Sequence, residues 1–159
     1  MNEITECIIY VKDNIWNELI KIAKSRPKDI KAYFMFSRRG QGWPIRVIDY
    51  KEVPVKIIKR SSPSGPIFRW DIPEDKKQEY YRPKSDPLRY SGTTLIQPNL
   101  EMTLHYAYFM GIDFKGWGGF NINLWVDDNN NPIYKAYFVS QNRTHGEFIE
   151  CKVETFQTL

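Results

Sequence analysis

The last third of the sequence alternates between apolar and polar residues, and this alternation constrains the fold more than any other feature. From Gly118 onward the apolar positions are Phe120, Ile122, Leu124 and Val126. Successive side chains of a β-strand point to opposite faces, so this spacing predicts a strand with one buried face. Asp and Asn residues at 127–131 form a turn, and strands follow at 133–140 and 148–156. In the last strand of this antiparallel meander we expect the inward-facing residues to be Ile149, Cys151 and Val153.

A strand and an amphipathic helix are predicted at the start of the chain. Residues 4–11 are apolar and rich in β-branched side chains, which favours a short strand. Asp13 then supplies a carboxylate that can accept hydrogen bonds from the free amides of a first helical turn. The buried face of this helix consists of residues spaced three and four apart, namely Ile15, Trp16, Leu19, Ile20 and Ala23. Pro27 ends the helix at about Ser25.

Further strands are predicted between this helix and residue 60. Residues 30–37 are apolar on both faces, which predicts a strand in the centre of the sheet. Residues 45–50 and 53–59 predict two more strands, or one strand interrupted by a bulge. Pro54 has no amide hydrogen to donate to a neighbouring strand, so it favours an edge or a bulge at that point.

Residues 60–98 are predicted to form a long basic, proline-rich loop. Six of the ten prolines lie between Pro63 and Pro98. A connection of this length is uncommon in a compact domain and is often a lid or a binding loop, with a mobile insertion as the alternative. One or two helical turns are predicted within it at 73–81. Pro98 then begins a second main helix, which ends at Gly111.

The order of these elements predicts a single α+β domain spanning residues 1–159. We expect a mostly antiparallel curved sheet with two main helices and the long loop at 60–98 beside it. A chain of 159 residues has the size of one domain and can bury a sizeable core. Its aromatic share of 15% favours a sheet-rich fold, because aromatic side chains fit half-buried pleated surfaces.

Positive charge is concentrated in the middle of the chain. Residues 38–89 contain 13 Lys and Arg against 7 Asp and Glu, whereas the remainder contains 10 against 12. A basic segment within an otherwise acidic body is typical of a surface that faces phosphates or other anions. Because acidic residues interrupt the basic run throughout, a solvated loop explains the same composition.

The two cysteines, Cys7 and Cys151, lie near opposite ends of the chain. No Cys-x-x-Cys motif and no Cys/His cluster is present, so the sequence predicts no zinc site. Both cysteines lie in apolar runs, which predicts buried thiols on neighbouring strands and leaves a disulfide as the alternative. No apolar run approaches the ~20 residues that cross a bilayer, and no secretory signal opens the sequence. We therefore expect a soluble, cytoplasmic protein with no membrane contact.

Three short segments carry a further pattern. Asp29 follows Pro27 at the start of a predicted strand, Lys84-Ser85-Asp86-Pro87 lies in the long loop, and Ser91 precedes Thr94 by three positions. In this order of elements the chain resembles the JAB/MPN domain, the fold of the JAMM zinc deubiquitinases and their prokaryotic relatives. That family has a catalytic glutamate at the first position, a His-x-His-Pro segment at the second and Ser-x-x-Asp at the third.

The resemblance implies a domain that has lost its zinc site. Asp29 stands in place of the glutamate, Lys84 and Asp86 in place of the two histidines. Ser91 matches the family serine, and Thr94 replaces the final aspartate. A hydrolytic zinc site needs three protein ligands and an open position for water, and only Asp86 could serve as a ligand. The resemblance therefore implies a non-catalytic interaction domain that needs no cofactor and binds a protein partner through its long basic loop.

A metal-dependent nuclease is a second hypothesis. Glu150 and Lys152 have a Glu-x-Lys spacing, which places both side chains on the same face of a strand. Asp127 or Asp128 could supply the second acid for a divalent cation, with Lys152 next to the attacking water. A Glu-x-Lys pair is also common on exposed terminal strands for solubility alone.

Binding of nucleic acid without catalysis is the third hypothesis, for a small basic protein of a virus or mobile element. Cations neutralise phosphates and aromatic rings stack on unpaired bases, so interleaved residues of both kinds favour single-stranded nucleic acid. The candidate binding residues are Arg38, Arg39, Arg46, Lys59, Arg60, Arg69, Trp70 and Arg82, with Tyr80 and Tyr81 among the neighbouring aromatics. The alternative for these aromatics is that they attach the long loop to the body of the protein.

Overall fold

The structure is a computed structural model that describes residues 7–41, 44–58, 67–70, 73–96, 119–139 and 148–157. The elements in these ranges are, in chain order, β1 (Cys7–Lys12), α1 (Asp13–Lys24), β2 (Lys31–Arg38), β3 (Arg46–Val47), β4 (Asp49–Val53), β5 (Val55–Ile58), β6 (Ile67–Trp70), a 3₁₀ turn (Glu74–Lys76), α2 (Lys77–Tyr81), β7 (Leu88–Ile96), β8 (Gly119–Val126), β9 (Pro132–Val139) and β10 (Phe148–Phe156). Strands therefore dominate the described part of the chain.

Eight of these strands form one sheet that is nearly closed into a barrel. Their order is β3-β1-β10-β9-β8-β7-β2-β4, while β5 and β6 form a separate hairpin. The two end strands, β3 and β4, are consecutive in the chain and are separated only by Ile48. β3 pairs with β1 and β4 pairs with β2, so a single stretch of chain joins the two edges of the sheet. The amide of Ile48 donates to the carbonyl of Phe36 at 2.9 Å, which continues the pairing across the junction.

The predicted α+β fold with two main helices is wrong. In the described residues α1 has 12 residues and α2 only five, and neither forms a layer over an open sheet. The sheet instead curls around α1. The helix predicted at 98–111 lies outside the described residues, as do 59–66 of the predicted loop.

The predicted long loop at 60–98 is also wrong over much of its length. Residues 67–70 form β6, and the helical turns predicted at 73–81 are confirmed by the 3₁₀ turn and α2. Residues 88–96 form β7, which lies between β2 and β8 within the sheet. Small polar residues hid this strand in the sequence. Two of these hydroxyls have partners in the fold: Ser91 donates to the carbonyl of Met35 at 3.1 Å, and Thr93 is hydrogen-bonded to Tyr90 on the same strand.

The interior of the barrel is filled by α1 and the inward-facing strand residues. The helix buries Ile15, Trp16, Leu19 and Ala23, four of the five residues predicted for its apolar face. Full burial of a leucine such as Leu19 stabilises the fold by about 2 kcal/mol. The prediction that Asp13 caps the helix is wrong: Lys12 occupies the N-cap without a side-chain hydrogen bond. Asp13 lies in the first turn, where a carboxylate interacts favourably with the helix dipole.

The outer face of β2 and β7 carries a smaller apolar cluster. Phe34 and Phe36 are completely buried there, together with Tyr90. The ring of Tyr81, at the end of α2, lies 4.9 Å from the ring of Phe34 and 5.5 Å from that of Tyr90. The 3₁₀ turn and α2 are thus attached to this face by aromatic contacts, each of which contributes about 1 kcal/mol beyond area burial.

The two cysteines are joined in a disulfide across the seam between the first and last strands. Cys7 and Cys151 are direct partners in the parallel β1–β10 pair, with their Cα atoms 4.6 Å apart. The prediction of neighbouring buried positions is therefore confirmed, whereas that of free thiols is wrong. Along β10, Val153 is half-buried against the interior, but Ile149 is 48% exposed, so its predicted inward position is wrong.

Candidate binding surface

Two basic segments that are far apart in the sequence meet at one end of the sheet. β2 ends at Arg38 and β7 begins at Leu88, and the antiparallel register pairs these two residues directly. The same register pairs Ser37 with Arg89. We use the name "basic turn" for Arg38, Arg39, Arg82, Lys84 and Arg89 with the backbone of residues 83–87.

Arg39 holds the backbone of the basic turn in place. Its Nε donates to the carbonyl of Asp86 at 2.9 Å, and its Nη2 donates to the carbonyls of Pro83 and Leu88 at 3.1 and 3.0 Å. Its backbone amide donates to the carbonyl of Pro87 at 2.7 Å. Arginine suits this role because its planar guanidinium presents several donors in a fixed geometry. All four acceptors are neutral, so these contacts leave the charge of Arg39 uncancelled.

Arg82 attaches the start of the turn to the sheet. Its guanidinium forms ion pairs with the carboxylates of Asp49 and Asp86, and its Cζ lies 4.6 Å from the centre of the Phe36 ring. Asp86 also accepts a hydrogen bond from the amide of Leu88 at 2.8 Å. A positive φ of 74° at Arg82 turns the chain out of α2 and into this arrangement. Arg82 is therefore a structural residue whose charge is largely balanced.

The other cations of the basic turn have no carboxylate partner among the described residues. Arg38 and Lys84 are exposed. Arg89 donates from Nη2 to the carbonyl of Gln41 at 3.0 Å, while its buried Nε has no hydrogen-bond partner in the part of the chain that the structure describes. The basic turn thus brings five cations together with two carboxylates, those of Asp49 and Asp86. An excess of like charge on a rigid surface creates a potential that attracts anionic groups.

Two of the aromatic residues expected to stack on bases, Tyr80 and Tyr81, pack against the protein instead. Tyr81 lies against Phe34 and Tyr90, as described above. The ring of Tyr80 is covered by the ammonium of Lys51, 4.9 Å from its centre. Lys51 also forms an ion pair with Glu79 at 3.4 Å. These rings attach the segment to the body of the protein, which was the alternative interpretation of the sequence.

The remaining residues of the predicted nucleic-acid site lie elsewhere. Arg46 is exposed on β3, with its Cζ 5.7 Å from the centre of the Tyr10 ring. Arg69 and Trp70 lie on β6, and Lys59 and Arg60 lie outside the described residues. The β5–β6 hairpin follows Val53, which pairs with Ala32 near the start of β2. The basic turn lies at the other end of β2, roughly 20 Å away by strand rise.

The structure does not bring together the positions implied by the JAB/MPN resemblance. Asp29 is exposed just before the start of β2. Lys84 and Asp86 lie beyond the other end of that strand, and an eight-residue strand spans about 25 Å. Ser91 and Thr94 are buried within β7, and the Thr94 hydroxyl has no hydrogen-bond partner.

The residues of the predicted nuclease site are also separated. Asp127, in the β8–β9 turn, accepts hydrogen bonds from the amides of Asn131 and Asn129 at 2.8 and 2.9 Å. These bonds to the ionised form hold the pKa of Asp127 below its usual value. Glu150 pairs with Lys135 at 3.3 Å, and its backbone lies opposite Tyr137.

Five strand positions separate Tyr137 from Pro132, where the turn ends, so Asp127 and Glu150 are roughly 16 Å apart. Neither Asp127 nor its neighbour Asp128 therefore lies beside Glu150, while Lys152 follows Glu150 on the same face of β10, as the alternation requires. Within the described ranges, no group of three His, Cys, Asp or Glu side chains could hold a metal ion.

One residue of the basic turn, Arg89, and the carboxylate of Asp49, which pairs with the turn through Arg82, were missed in the sequence. Arg89 was not singled out because residues 88–96 were assigned to a loop, and Asp49 was treated only as part of a strand. The register of β2, β4 and β7 brings both residues to this end of the sheet. The apolar pattern around Tyr90 and Leu95 was the available signal for β7, but the intervening Ser, Gly and Thr residues masked it.

Comparison with known proteins bears only on the fold. No protein-family model and no curated protein matches the chain. Among solved structures, 86 chains are similar. One is the solution structure of a protein from Desulfitobacterium hafniense, 13% identical, with a TM-score of 0.59 over 95% of this chain and 94% of that one. Another, from Salinibacter ruber, is 11% identical, with a TM-score of 0.52 over 92% of each chain. No helix in the described ranges is long and apolar enough to cross a membrane.

Proposed function

We propose that this chain is a non-catalytic binding domain that engages an acidic segment of a protein partner through the basic turn. The observation that carries the proposal is the charge imbalance there. Arg38, Arg39, Lys84 and Arg89 lie together without a carboxylate partner among the described residues. Only Arg82 is balanced, by Asp49 and Asp86.

The fixed backbone conformation of the basic turn supports this function. Arg39 and Arg82 fix the backbone through four hydrogen bonds to carbonyls and two ion pairs, so the turn is organised before a partner arrives. A surface that is already ordered loses less conformational entropy on binding, and this raises its affinity. Arg38 and Lys84 then provide exposed charges that steer and orient an acidic partner.

The choice of a protein over a single-stranded nucleic acid rests on the aromatic residues. Sequence-independent binding of single strands requires open aromatic faces for base stacking. Tyr80 and Tyr81, which directly precede Arg82 in the chain, pack on Lys51, Phe34 and Tyr90 instead. An acidic peptide needs only charged hydrogen-bond donors, which the basic turn supplies.

The test is a charge reversal at the two exposed cations. We expect Arg38→Glu combined with Lys84→Glu to weaken binding of a labelled oligoglutamate peptide roughly tenfold or more at low salt. The matched control is Lys21→Glu with Lys24→Glu, which changes the charge equally on the exposed face of α1. Equal affinities of the wild type and the two double variants would refute the proposal.

A second candidate function, binding of nucleic acid, is favoured by the β5–β6 hairpin. Lys56 lies directly opposite Arg69 in its register. Two cationic residues at paired backbone positions concentrate positive charge on the hairpin, and concentrated positive charge attracts anions. Residues 54–70 also contain four cations, Lys56, Lys59, Arg60 and Arg69, and no Asp or Glu.

This candidate is tested with Lys56→Glu combined with Arg69→Glu. If the hairpin binds phosphates, this variant loses salt-sensitive binding of labelled single- and double-stranded DNA, whereas the Arg38→Glu, Lys84→Glu variant keeps it. Addition of magnesium tests the nuclease hypothesis at the same time, since cleavage that disappears in Glu150→Gln would assign a role to Glu150 and Lys152. DNA binding that is unchanged in the hairpin variant would eliminate this candidate.

A further inference from the structure

The seam between β1 and β10 joins two strands that lie far apart in the sequence. These two strands are parallel, with six pairs running from Cys7 opposite Cys151 to Lys12 opposite Phe156. The two cysteines are 144 positions apart, so no short connection holds the strands side by side. The neighbouring pairs β8–β9 and β9–β10 are antiparallel and follow one another in the chain, which keeps their strands close even when they separate.

β1 and α1 form a continuous unit on one side of this seam. α1 begins at Asp13, immediately after β1 ends at Lys12. On its other edge, within the described residues, β1 pairs with β3 at two positions, and the amide of Tyr10 donates to the carbonyl of Ile45 at 3.0 Å. The helix enters the barrel with Trp16, whose ring lies edge-on to that of Tyr134 at 5.6 Å. Displacement of β1 from β10 would therefore strain or withdraw the helix that fills the interior.

We propose that the Cys7–Cys151 disulfide is a redox latch that keeps the β1–α1 unit closed against β10. It joins Cys7 covalently to its direct register partner Cys151, so the two strands cannot separate at that position while the bond is intact. A cross-link that closes so long a loop strongly restricts the separated state. The inference is independent of the proposed binding function, because the basic turn lies on β2 and β7.

Opening of the latch needs a dithiol reductant. A thiolate of the reductant attacks one Sγ, the bond between the two sulfurs breaks, and the other cysteine leaves as a thiolate. The second thiol of the reductant then attacks the mixed disulfide. The reductant leaves as a disulfide, oxidised by two electrons, and the protein gains two thiols.

The burial of the residues around the disulfide determines how a reductant reaches it and how far the protein opens after reduction. Cys7 and Cys151 are both buried, so the reductant reaches them only when the seam opens transiently. Ile9 and Val11, further along β1, are completely buried in the interior. Their burial keeps the reduced protein folded, and the effect of reduction is therefore local opening of the β1–α1 unit rather than global unfolding.

Hydrogen exchange of the whole chain, oxidised and reduced, tests the latch. We expect amides of β1 and the facing part of β10 to exchange roughly tenfold faster or more after reduction with dithiothreitol. Amides of β7 and β8 should exchange at the same rate in both states. Equal exchange of β1 in the two states would overturn the proposal, as would a general acceleration throughout the sheet.

Two further measurements test whether a change in exchange arises from the disulfide itself. The variant Cys7→Ser, Cys151→Ser should exchange like the reduced wild type, and dithiothreitol should not change its exchange. Mass spectrometry after alkylation should count no reactive thiols in the air-oxidised wild type and two after reduction. Two alkylated cysteines in the air-oxidised, folded protein would overturn the proposal without any variant.

Discussion

The same two strands, β2 and β7, have a deeply buried centre and a strongly charged end. Ala32 to Phe36 and their partners on β7, from Tyr90 to Leu95, are almost completely buried. A few positions further along the pair, Arg38 and its neighbour Arg39 are exposed. In the centre a side chain is constrained by the space available, whereas at the end it is constrained by which backbone groups and charges it can reach.

This difference separates stability from binding along one strand pair. In the centre even hydroxyl groups serve packing and internal hydrogen bonds, as in the buried Tyr90–Thr93 pair. At the end Arg39 and Arg82 maintain the shape of the basic turn, and Arg38 and Lys84 remain available to a partner. Substitutions should therefore lower stability in the centre, lower both stability and binding at Arg39, and lower binding alone at Arg38 and Lys84.

The largest effect is expected from Gly92→Ala, compared with Gly40→Ala. A Cβ added at Gly92 would overlap the ring of Phe120 on β8, so the substitution should lower the free energy of unfolding by about 3 kcal/mol. Gly40, in the turn that follows Arg39, has open space around it but a φ of 86°. Alanine there should cost only about 1 kcal/mol, for backbone strain. Urea denaturation of both variants would contradict the comparison if Gly40→Ala were the more destabilised.

The next effect in size is expected at Arg39. Arg39→Ala removes three side-chain hydrogen bonds to carbonyls of the basic turn, and we expect a loss of about 2 kcal/mol in stability together with weaker peptide binding. Arg39→Lys keeps the charge but cannot reproduce the planar set of donors, so it should restore binding only partly. Full recovery of both stability and affinity in Arg39→Lys would show that charge alone matters at this position.

A smaller loss is expected from the buried hydroxyl pair in the centre. Tyr90→Phe or Thr93→Val should each cost about 1 kcal/mol, because each leaves the other hydroxyl without its partner. The double variant should cost less than the sum of the two single changes, since it leaves neither hydroxyl behind. Thermal or urea unfolding of all four proteins measures this coupling, and strict additivity would contradict the hydrogen bond.

The pH dependence of stability provides a further test in the centre. Burial, together with the carboxylate of Glu52 that accepts its hydrogen bond at 3.2 Å, raises the pKa of Tyr33 above its usual value of 10.0. A raised pKa in the folded state means that this contribution is complete below about pH 10 and is lost as the pH rises further. Tyr33→Phe should therefore lose less stability than the wild type between about pH 9 and about pH 11. Parallel urea curves of the two proteins over this range would contradict the assignment.

The smallest effect on stability is expected from the variant that should most affect binding. Arg38→Glu with Lys84→Glu should change the free energy of unfolding by less than about 0.5 kcal/mol, because both side chains are exposed and have no ion pair among the described residues. A large loss of stability would place these cations with Arg39 and Arg82 as structural residues. The proposed division within the basic turn would then be wrong.

Much of the strand pattern was predictable, because alternation is a local property of the chain. The segments at 30–37, 133–140 and 148–156 correspond to β2, β9 and β10 within one residue. α1 was predictable from the spacing of Ile15, Trp16, Leu19 and Ala23. β7 was not, since the polar residues from Ser91 to Thr94 become acceptable in a buried strand only in the folded sheet, where Ser91 donates to the carbonyl of Met35 on β2 and Thr93 is hydrogen-bonded to Tyr90.

The candidate site was predictable in part. Arg38, Arg39, Arg82 and Lys84 were named from sequence, but in two unrelated hypotheses. No local signal showed that residues 38–39 and 82–89 meet, because the antiparallel register of β2 and β7 brings them together. Nor could the sequence distinguish an arginine that binds backbone carbonyls, such as Arg39, from an adjacent one that is exposed.

By itself, the sequence determined where strands and the first helix form and that positive charge lies in the middle of the chain, because side-chain alternation and composition are local. Only the tertiary structure decided that the sheet closes around α1, that Cys7 meets Cys151, and which cations are structural. These features depend on contacts between residues tens of positions apart, and such contacts form only when the burial of the whole interior offsets the entropy of closing the intervening loops.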